Sequence, residues 1–178
     1  MVLDKIAIHH FGGVQKDSYL STQDLFFSDI DIAHKRRWNF RSSLGFFVGY
    51  NFLIEKDGSL HQARALGEET AAQAGSNFSV VSICLAGNFT ISPLTGQMVD
   101  KPTEAQRGTL KKLLTNLADG HLQEYKVMAG ATVNIKIYDI HPHRFFSQTS
   151  CYGALPDSFG KNLVLEVLQE RLGNFQKL

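Results

Sequence analysis

Five residues of the sequence have side chains that together could bind a metal ion. They are His9, His10, His141, His143 and Cys151. The first two histidines follow a short β-branched run and the other two follow a later one, so each pair is expected at a strand end. Two imidazoles and a thiolate are zinc ligands, and a His₂Cys set leaves the fourth tetrahedral position open for water, as in catalytic sites. The pattern therefore predicts a zinc hydrolase that uses two of these histidines and the cysteine.

The alternative at this point is a chance distribution of these residues. The chain has seven histidines, and a cysteine that binds no metal is usually a buried thiol. His143 and Cys151 are too far apart for one helical turn, although a loop of that length can fold back to bring both to one ion. The spacing alone leaves both interpretations open.

The composition and charge are those of a single globular domain. The chain has 178 residues, of which 43% are hydrophobic, and 18 basic against 17 acidic residues give a net charge of +1. This balance argues against nucleic acid or an anionic membrane as a partner, because proteins that bind them carry clustered positive charge. Asp4 and Lys5 interrupt the apolar core that a secretory signal needs, and no stretch approaches the roughly 18 apolar residues of a spanning helix. We therefore expect synthesis in the cytoplasm, no membrane anchoring, and cysteines that are thiols or metal ligands.

Hydrophobic periodicity predicts the strands and helices that would position the five residues. Strands are expected at residues 5–9, 49–55, 59–63, 79–86 and 133–140, and helices from Thr22 to about Trp38, from Thr103 to about Asp119 and from Ser158 to about Leu172. Asp57-Gly58 predicts a tight turn between the second and third strands. The continuous apolar run at 79–86 is typical of a central strand. We therefore predict one α/β domain over residues 1–178, with a mixed central sheet flanked by helices on both faces and the zinc site at strand ends.

The ends and faces of these elements follow from local signals. Ser21 or Thr22 is expected to cap the first helix, and a T-x-x-Q capping box begins the second at Thr103. Gly173 is expected to end the third helix. Pro142 is expected outside the ladder of the last strand, because proline has no N–H to donate. The buried face of the third helix is predicted to contain Leu165, Leu168 and Leu172.

Six segments, taken in chain order, resemble a known protein family. They are IAIHH, GYNFLIEKDG, AAQAGSN, SVVSICLAGNF, TEAQRGTLKKLL and HRFFSQTSCYG. The series is similar to the zinc-dependent N-acetylmuramoyl-L-alanine amidases, a group that includes phage lysozyme-type amidases and peptidoglycan recognition proteins. The resemblance covers about residues 5–153, and the helix predicted at about 158–172 closes the same domain.

The resemblance implies a zinc site and a substrate. The zinc ligands would be His9, His143 and Cys151, with His10, His61 and His141 as neighbours. Tyr50 and Thr149 would be catalytic polar groups beside the zinc ion. Members of the family hydrolyse the amide between the lactyl group of N-acetylmuramic acid and the L-alanine of the stem peptide, so peptidoglycan or a muropeptide is the implied substrate. The general base stays open among Tyr50, Thr149 and a carboxylate such as Glu68 or Glu69, and so does the oligomeric state.

Two departures from the family pattern keep other functions open. Gln73 stands where the family commonly has a histidine, and Tyr152-Gly153 replaces the usual Pro-Gly after the cysteine. The first change allows a zinc amidohydrolase that acts on another amide. A further alternative is a recognition module that binds muropeptides without cutting them, although such members usually lack the cysteine that Cys151 supplies here.

Other notable side chains have structural interpretations at this stage. Cys84 lies in the most apolar run and is interpreted as a core residue. The segment from His34 to Arg37 is interpreted as a solvated helix end, because cations there offset the helix dipole. Trp38 and the Phe46-Phe47 pair are interpreted as core aromatics, with a role in a sugar groove as the alternative.

Overall fold

A five-stranded sheet forms around the most apolar run of the sequence. The computed structural model describes residues 1–12, 20–149, 151 and 153–175. In chain order the strands are β1 (Val2–Leu3), β2 (Lys5–Phe11), β3 (Phe52–Ile54), β4 (Leu60–Gln62), β5 (Val80–Ala86), β6 (Thr132–Val133) and β7 (Ile140–Pro142). The main sheet has the order β4-β3-β5-β2-β7, in which only the β3–β4 pair is antiparallel. The sheet is therefore mixed, and the apolar strand β5 lies at its centre as predicted.

Three helices cover the two faces of this sheet, and the α/β fold class is confirmed. They are α1 (Phe27–Trp38), α2 (Glu104–Asp119) and α3 (Phe159–Phe175). Successive residues of a strand point to opposite faces. Ile83 of β5 packs in a core with α2 and α3, whereas its neighbour Cys84 packs in a second core with Ile30 of α1. Helices therefore lie on both faces, as the sequence predicts.

The first helix begins five residues later than predicted. Its N-cap is Phe26, and Asp29 accepts a hydrogen bond from the Phe26 backbone N–H at 2.9 Å. The predicted caps have other partners, because Ser21 Oγ and the Thr22 N–H both donate to the carboxylate of Asp100. These bonds attach the segment before α1 to the chain that follows β5.

The strand predicted at residues 133–140 is wrong. Thr132–Val133 pairs with β1 in a separate two-stranded sheet, and a 3₁₀ turn at Ile137–Asp139 precedes β7. Pro142 is the last residue of β7, not outside the ladder. It is tolerated because β7 lies at the edge of the sheet, where the missing N–H leaves no partner strand unsatisfied.

The remaining elements agree with their predictions in position and differ in detail. The hairpin and the capping box of Thr103 and Gln106 are present, although β3 and β4 are shorter than expected. The third helix continues through Gly173, and it buries Leu163 and Val164 while Leu165 and Leu172 are exposed. Its predicted apolar face is therefore wrong. Among the described residues, no helix has the length and apolarity needed to cross a membrane.

Candidate metal centre

The structure brings together His9, His143 and Cys151 beside the carboxyl end of β2. Their candidate donor atoms all lie within 4.8 Å of one another. Cys151 Sγ lies 3.6 Å from His9 Nδ1, and the two imidazole centroids are 4.2 Å apart. These three residues form a cluster that could hold a metal ion.

Strand geometry decides between His9 and His10. Both are buried within β2, which continues to Phe11 because its parallel pairing with β5 continues that far. His9 points to the α1 face of the sheet, beside Cys84 in the register. His10 points to the opposite face, where its Nδ1 accepts the backbone N–H of Phe89 at 2.9 Å. Only His9 therefore reaches the cluster.

A loop after β7 carries the other two members of the cluster. His143 begins a 3₁₀ turn directly after the edge strand, and the next residue, Arg144, closes the loop. The Arg144 guanidinium donates to the carbonyls of Gly153 at 2.9 Å and of Leu155 at 3.0 Å. These bonds fold the segment back on itself, so that Cys151 reaches the same place as His143.

Burial keeps both imidazoles of the cluster uncharged. Desolvation, together with the neighbouring His143, lowers the pKa of His9 well below its usual value. Desolvation lowers the pKa of His143 to about 4. His143 Nε2 lies 3.1 Å from Ser147 Oγ, and its buried Nδ1 has no hydrogen-bond partner among the described residues. Neutral imidazoles with a free lone pair are the state that metal binding requires.

Tyr50 lies next to the cluster and is buried. Its ring centroid is 5.0 Å from that of His9. Burial, the nearby Cys84 and Cys151, and a hydrogen bond with Cys84 raise its pKa well above the usual value. The side chain is therefore a neutral phenol at ordinary pH, which can donate a hydrogen bond and cannot serve as a base.

Most of the chain, including the three residues of the cluster, matches a known protein family. A family model described as N-acetylmuramoyl-L-alanine amidase matches residues 1–154. The chain belongs to the N-acetylmuramoyl-L-alanine amidase family. No curated protein matched the chain.

Solved structures of this family and of its relatives share the fold. The amidase LysC of Clostridium intestinale is 21% identical with a TM-score of 0.56, and the match covers 96% of this chain and 85% of LysC. The endolysin of the Thermus scotoductus bacteriophage Ph2119 is 19% identical with a TM-score of 0.56, over 92% and 85% of the two chains. Drosophila peptidoglycan recognition protein SD is 18% identical with a TM-score of 0.57, over 88% and 78%. At these identities the similarity shows a shared fold.

Of two further candidate catalytic residues in this amidase-family chain, Thr149 lies beside the cluster and Glu68 lies outside it. Thr149 is half-buried, and its Oγ1 accepts the backbone N–H of Cys151 at 3.1 Å. The carboxylate of Glu68 accepts hydrogen bonds from Ser43 and from the backbone of Ala65, outside the cluster. Thr149 therefore adjoins the cluster, whereas Glu68 serves a neighbouring loop.

Two other histidines, His61 and His141, stack on phenylalanine rings and are not part of the cluster. His61 stacks on Phe27 with a centroid separation of 4.7 Å. His141 lies in β7 and stacks on Phe145 at 3.8 Å.

The interpretation of His34 as part of a solvated helix end is wrong. The side chain is 4% exposed, its Nδ1 accepts the Gly49 N–H at 3.0 Å, and its ring centroid lies 5.6 Å from that of Tyr50. The signal for this burial is present in the sequence of α1, because His34 follows the buried Ile30 by four residues and shares its helix face.

Sequence reasoning also missed the contact that Gln73 makes. The departure from the family pattern is visible in the sequence, but the partner is not. Gln73 is fully buried, and its Oε1 lies 3.1 Å from His9 Nε2.

Proposed function

We propose that this chain is a zinc-dependent N-acetylmuramoyl-L-alanine amidase that hydrolyses the bond between N-acetylmuramic acid and L-alanine in peptidoglycan or muropeptides. The observation that supports this proposal is the convergence of His9, His143 and Cys151 on one point. Membership of the amidase family gives the bond that would be cut.

The three donors fit a zinc ion by their chemistry, and the pair formed by His9 and Cys151 also fits it by distance. Zinc takes imidazole nitrogen at about 2.0–2.1 Å and thiolate sulfur at about 2.3 Å, so a tetrahedral ion places such a pair about 3.6 Å apart. His9 Nδ1 and Cys151 Sγ are 3.6 Å apart. His143 Nδ1 is buried without a partner among the described residues, and a bound ion would satisfy it. Three protein ligands leave one position for water or substrate.

The chemistry of the bond requires a nucleophile and stabilised negative charge. A bound zinc ion supplies Lewis acidity, which lowers the pKa of a coordinated water to about 7 and polarises a carbonyl oxygen. The chain itself supplies hydrogen bonds. In this proposal the neutral phenol of Tyr50, whose ring lies 5.0 Å from that of His9, turns its hydrogen from Cys84 to the oxygen on which charge develops.

Thr149 has two roles in this proposal. A hydroxyl has one hydrogen to donate and two lone pairs. Because Oγ1 of Thr149 uses one lone pair for the N–H of Cys151, its hydrogen stays available for the substrate. Thr149 therefore holds the backbone at the cysteine in place and offers one donor to the bound amide.

Recognition without cleavage is the second candidate function. It is favoured by the recognition proteins among the structural neighbours, one of which is a complex of PGRP-LCa and PGRP-LCx with tracheal cytotoxin. The thiol of Cys151 in the cluster favours the amidase, because a module that only binds muropeptides has no need for a metal ligand there.

Metal content and reaction products test the proposal together. We expect about one zinc per chain, released by acid or a strong chelator because the ligands must be deprotonated. Mass spectrometry of a soluble muropeptide should show the free stem peptide and the released sugar. A protein that binds the muropeptide and leaves it intact with zinc bound would contradict the amidase and support recognition.

The two cysteines provide a matched pair of variants for the same test. Cys151→Ser should lose zinc and turnover, because it removes a ligand. Cys84→Ala should keep one zinc per chain, because Cys84 is a buried free thiol outside the cluster. If Cys151→Ser retained the zinc content of the wild type, the ligand set would be wrong.

A further inference from the structure

Gln73 and His9 form a buried contact beside the candidate metal centre. Gln73 Oε1 lies 3.1 Å from His9 Nε2 and accepts the hydroxyl of Ser82 at 2.8 Å. All three side chains are buried, with Gln73 and Ser82 fully so. The amide nitrogen of Gln73 has no hydrogen-bond partner in the part of the chain that the structure describes. Both of these contacts of Gln73, with His9 and with Ser82, are therefore made by its amide oxygen.

The two ring nitrogens of His9 face different partners. Nδ1 lies 3.6 Å from Cys151 Sγ and points into the cluster, whereas Nε2 points to Gln73. A neutral imidazole carries its hydrogen on one nitrogen only, and the nitrogen that binds a metal must be the other one. His9 can thus be a ligand through Nδ1 only when its hydrogen is on Nε2.

The orientation of the Gln73 amide selects that tautomer. With Oε1 toward the ring, the amide accepts a hydrogen from His9 Nε2 and leaves Nδ1 free. With the amide reversed, its NH₂ group would donate to Nε2 and force the hydrogen of the imidazole onto Nδ1, where it would block the metal. Reversal would also deprive the Ser82 hydroxyl of its acceptor.

The backbone around this contact is held by further hydrogen bonds. The Gln73 N–H donates to Asn77 Oδ1 at 2.9 Å, and the Ala72 N–H donates to the same oxygen at 3.2 Å. Ser82 lies in the central strand β5, and its N–H donates to Asn51 Oδ1 at 2.9 Å. The amide therefore approaches His9 from a fixed direction.

We infer that Gln73 is a positioning residue that accepts the Nε2 hydrogen of His9 and thereby keeps Nδ1 available as a metal ligand. The consequence for zinc rests on the proposed function, whereas the tautomer of His9 does not. Groups that orient ligating histidines in this way typically contribute 10–100-fold to metal affinity.

Two measurements test the inference, and the first needs no metal. Nitrogen-15 NMR of the metal-free protein at pH 7.5 reports which nitrogen of His9 carries the hydrogen. Competition with a chelator reports the zinc affinity. We expect the wild type to show the Nε2 hydrogen, and Gln73→Met, which keeps the size and removes the acceptor, to show a mixture of tautomers and about 10–100-fold weaker zinc binding.

A conservative variant and a matched control separate positioning from general damage. Gln73→Glu keeps an acceptor oxygen and should restore the Nε2 tautomer and most of the zinc affinity. Gln106 is an equally buried glutamine whose Nε2 donates to the Ala86 carbonyl at 2.8 Å, away from the cluster. Gln106→Met should lower stability and leave both readouts unchanged.

Each outcome decides the inference. A wild-type His9 that carries its hydrogen on Nδ1, or Gln73→Met with the tautomer and zinc affinity of the wild type, would overturn it. If Gln73→Met does not fold, Ser82→Ala removes the hydroxyl that orients the amide and should shift the tautomer in the same direction; no shift there would also overturn it. A wild type that binds no zinc would contradict the proposed function, and the tautomer comparison would still decide the role of Gln73.

Discussion

At the scale of single residues, the environment of each side chain sets its chemistry. Burial makes Tyr50 a neutral phenol, and it makes the imidazoles of His9 and His143 uncharged. A phenol with a raised pKa cannot accept a proton near pH 7, but it can donate a hydrogen bond to a developing oxyanion. The sequence leaves the role of Tyr50 open between base and hydrogen-bond donor, and its burial favours the donor that we propose.

Replacing Tyr50 by phenylalanine should remove this donor and leave the metal. We expect Tyr50→Phe to lower kcat and kcat/KM together, by on the order of 10²–10³, with unchanged zinc content. Tyr125 provides the control, because its hydroxyl accepts from Asn116 Nδ2 and lies outside the cluster. Tyr125→Phe should keep wild-type kinetics on the same muropeptide. A loss of only two- or three-fold in Tyr50→Phe would exclude the role proposed for its hydroxyl.

At the scale of elements, the turn after Cys151 depends on a close backbone approach. Gly153 has a φ of +57°, and a Cβ at this position would lie against the carbonyl of Phe89. The same carbonyl accepts the N–H of Ala154 at 2.8 Å, so it cannot move without losing that bond. The turn thus connects the segment that carries Cys151 to the chain that follows β5.

An alanine at Gly153 should therefore disturb both stability and metal binding. Gly96 is the matched control, because it has a φ of +66° and open space where its Cβ would lie. Gly96→Ala should cost about 1–2 kcal/mol for the left-handed backbone alone. Gly153→Ala should cost more in denaturant unfolding and should also weaken zinc binding. Equal losses of stability in the two variants would show that the approach to Phe89 is unimportant.

At the scale of the whole molecule, buried histidines couple folding to pH. Burial, with the nearby Arg37 and Arg64, lowers the pKa of His34 to about 4. In the unfolded chain the imidazole of His34 takes up a proton near pH 6.5, whereas in the folded protein it does so only near pH 4. Acid therefore favours the unfolded state, which binds this proton more tightly. The contribution of His34 to stability is therefore fully present above pH 6.5 and is lost as the pH falls toward 4.

Denaturant unfolding of the metal-free protein measures this coupling. Between pH 7 and pH 5, His34 should account for a loss of about 2 kcal/mol in the free energy of unfolding. His34→Asn keeps an acceptor for the Gly49 N–H but has no imidazole to titrate. Over the same pH range its free energy of unfolding should therefore fall by about 2 kcal/mol less than that of the wild type. The exposed His121 provides the control, and His121→Asn should follow the wild-type curve. If His34→Asn also followed that curve, His34 would not be the group responsible.

The sequence by itself determined the elements with strong local signals and the residue types that meet in the cluster. The apolar run of β5 and the capping box of α2 depend on neighbouring residues, and both were predicted with correct positions. The α/β class follows from the order of such elements. The beginning of α1 was not predictable in this way, because its candidate caps bond to Asp100, which lies 78 or more residues away in the chain.

Residue types and spacing left open which side chains meet at the cluster, the family resemblance implied His9, His143 and Cys151, and the tertiary structure brings these three together. Both faces of β2 are buried, so its sequence lacks the alternation of polar and apolar residues that would show where His9 and His10 point. The register with β5 and β7 fixes those directions, and the fold of the loop after β7 brings Cys151 to His9. The contact of Gln73 with His9 joins residues 64 positions apart. Such contacts depend on how the strands pair and how the loops pack, which no local pattern of residues encodes.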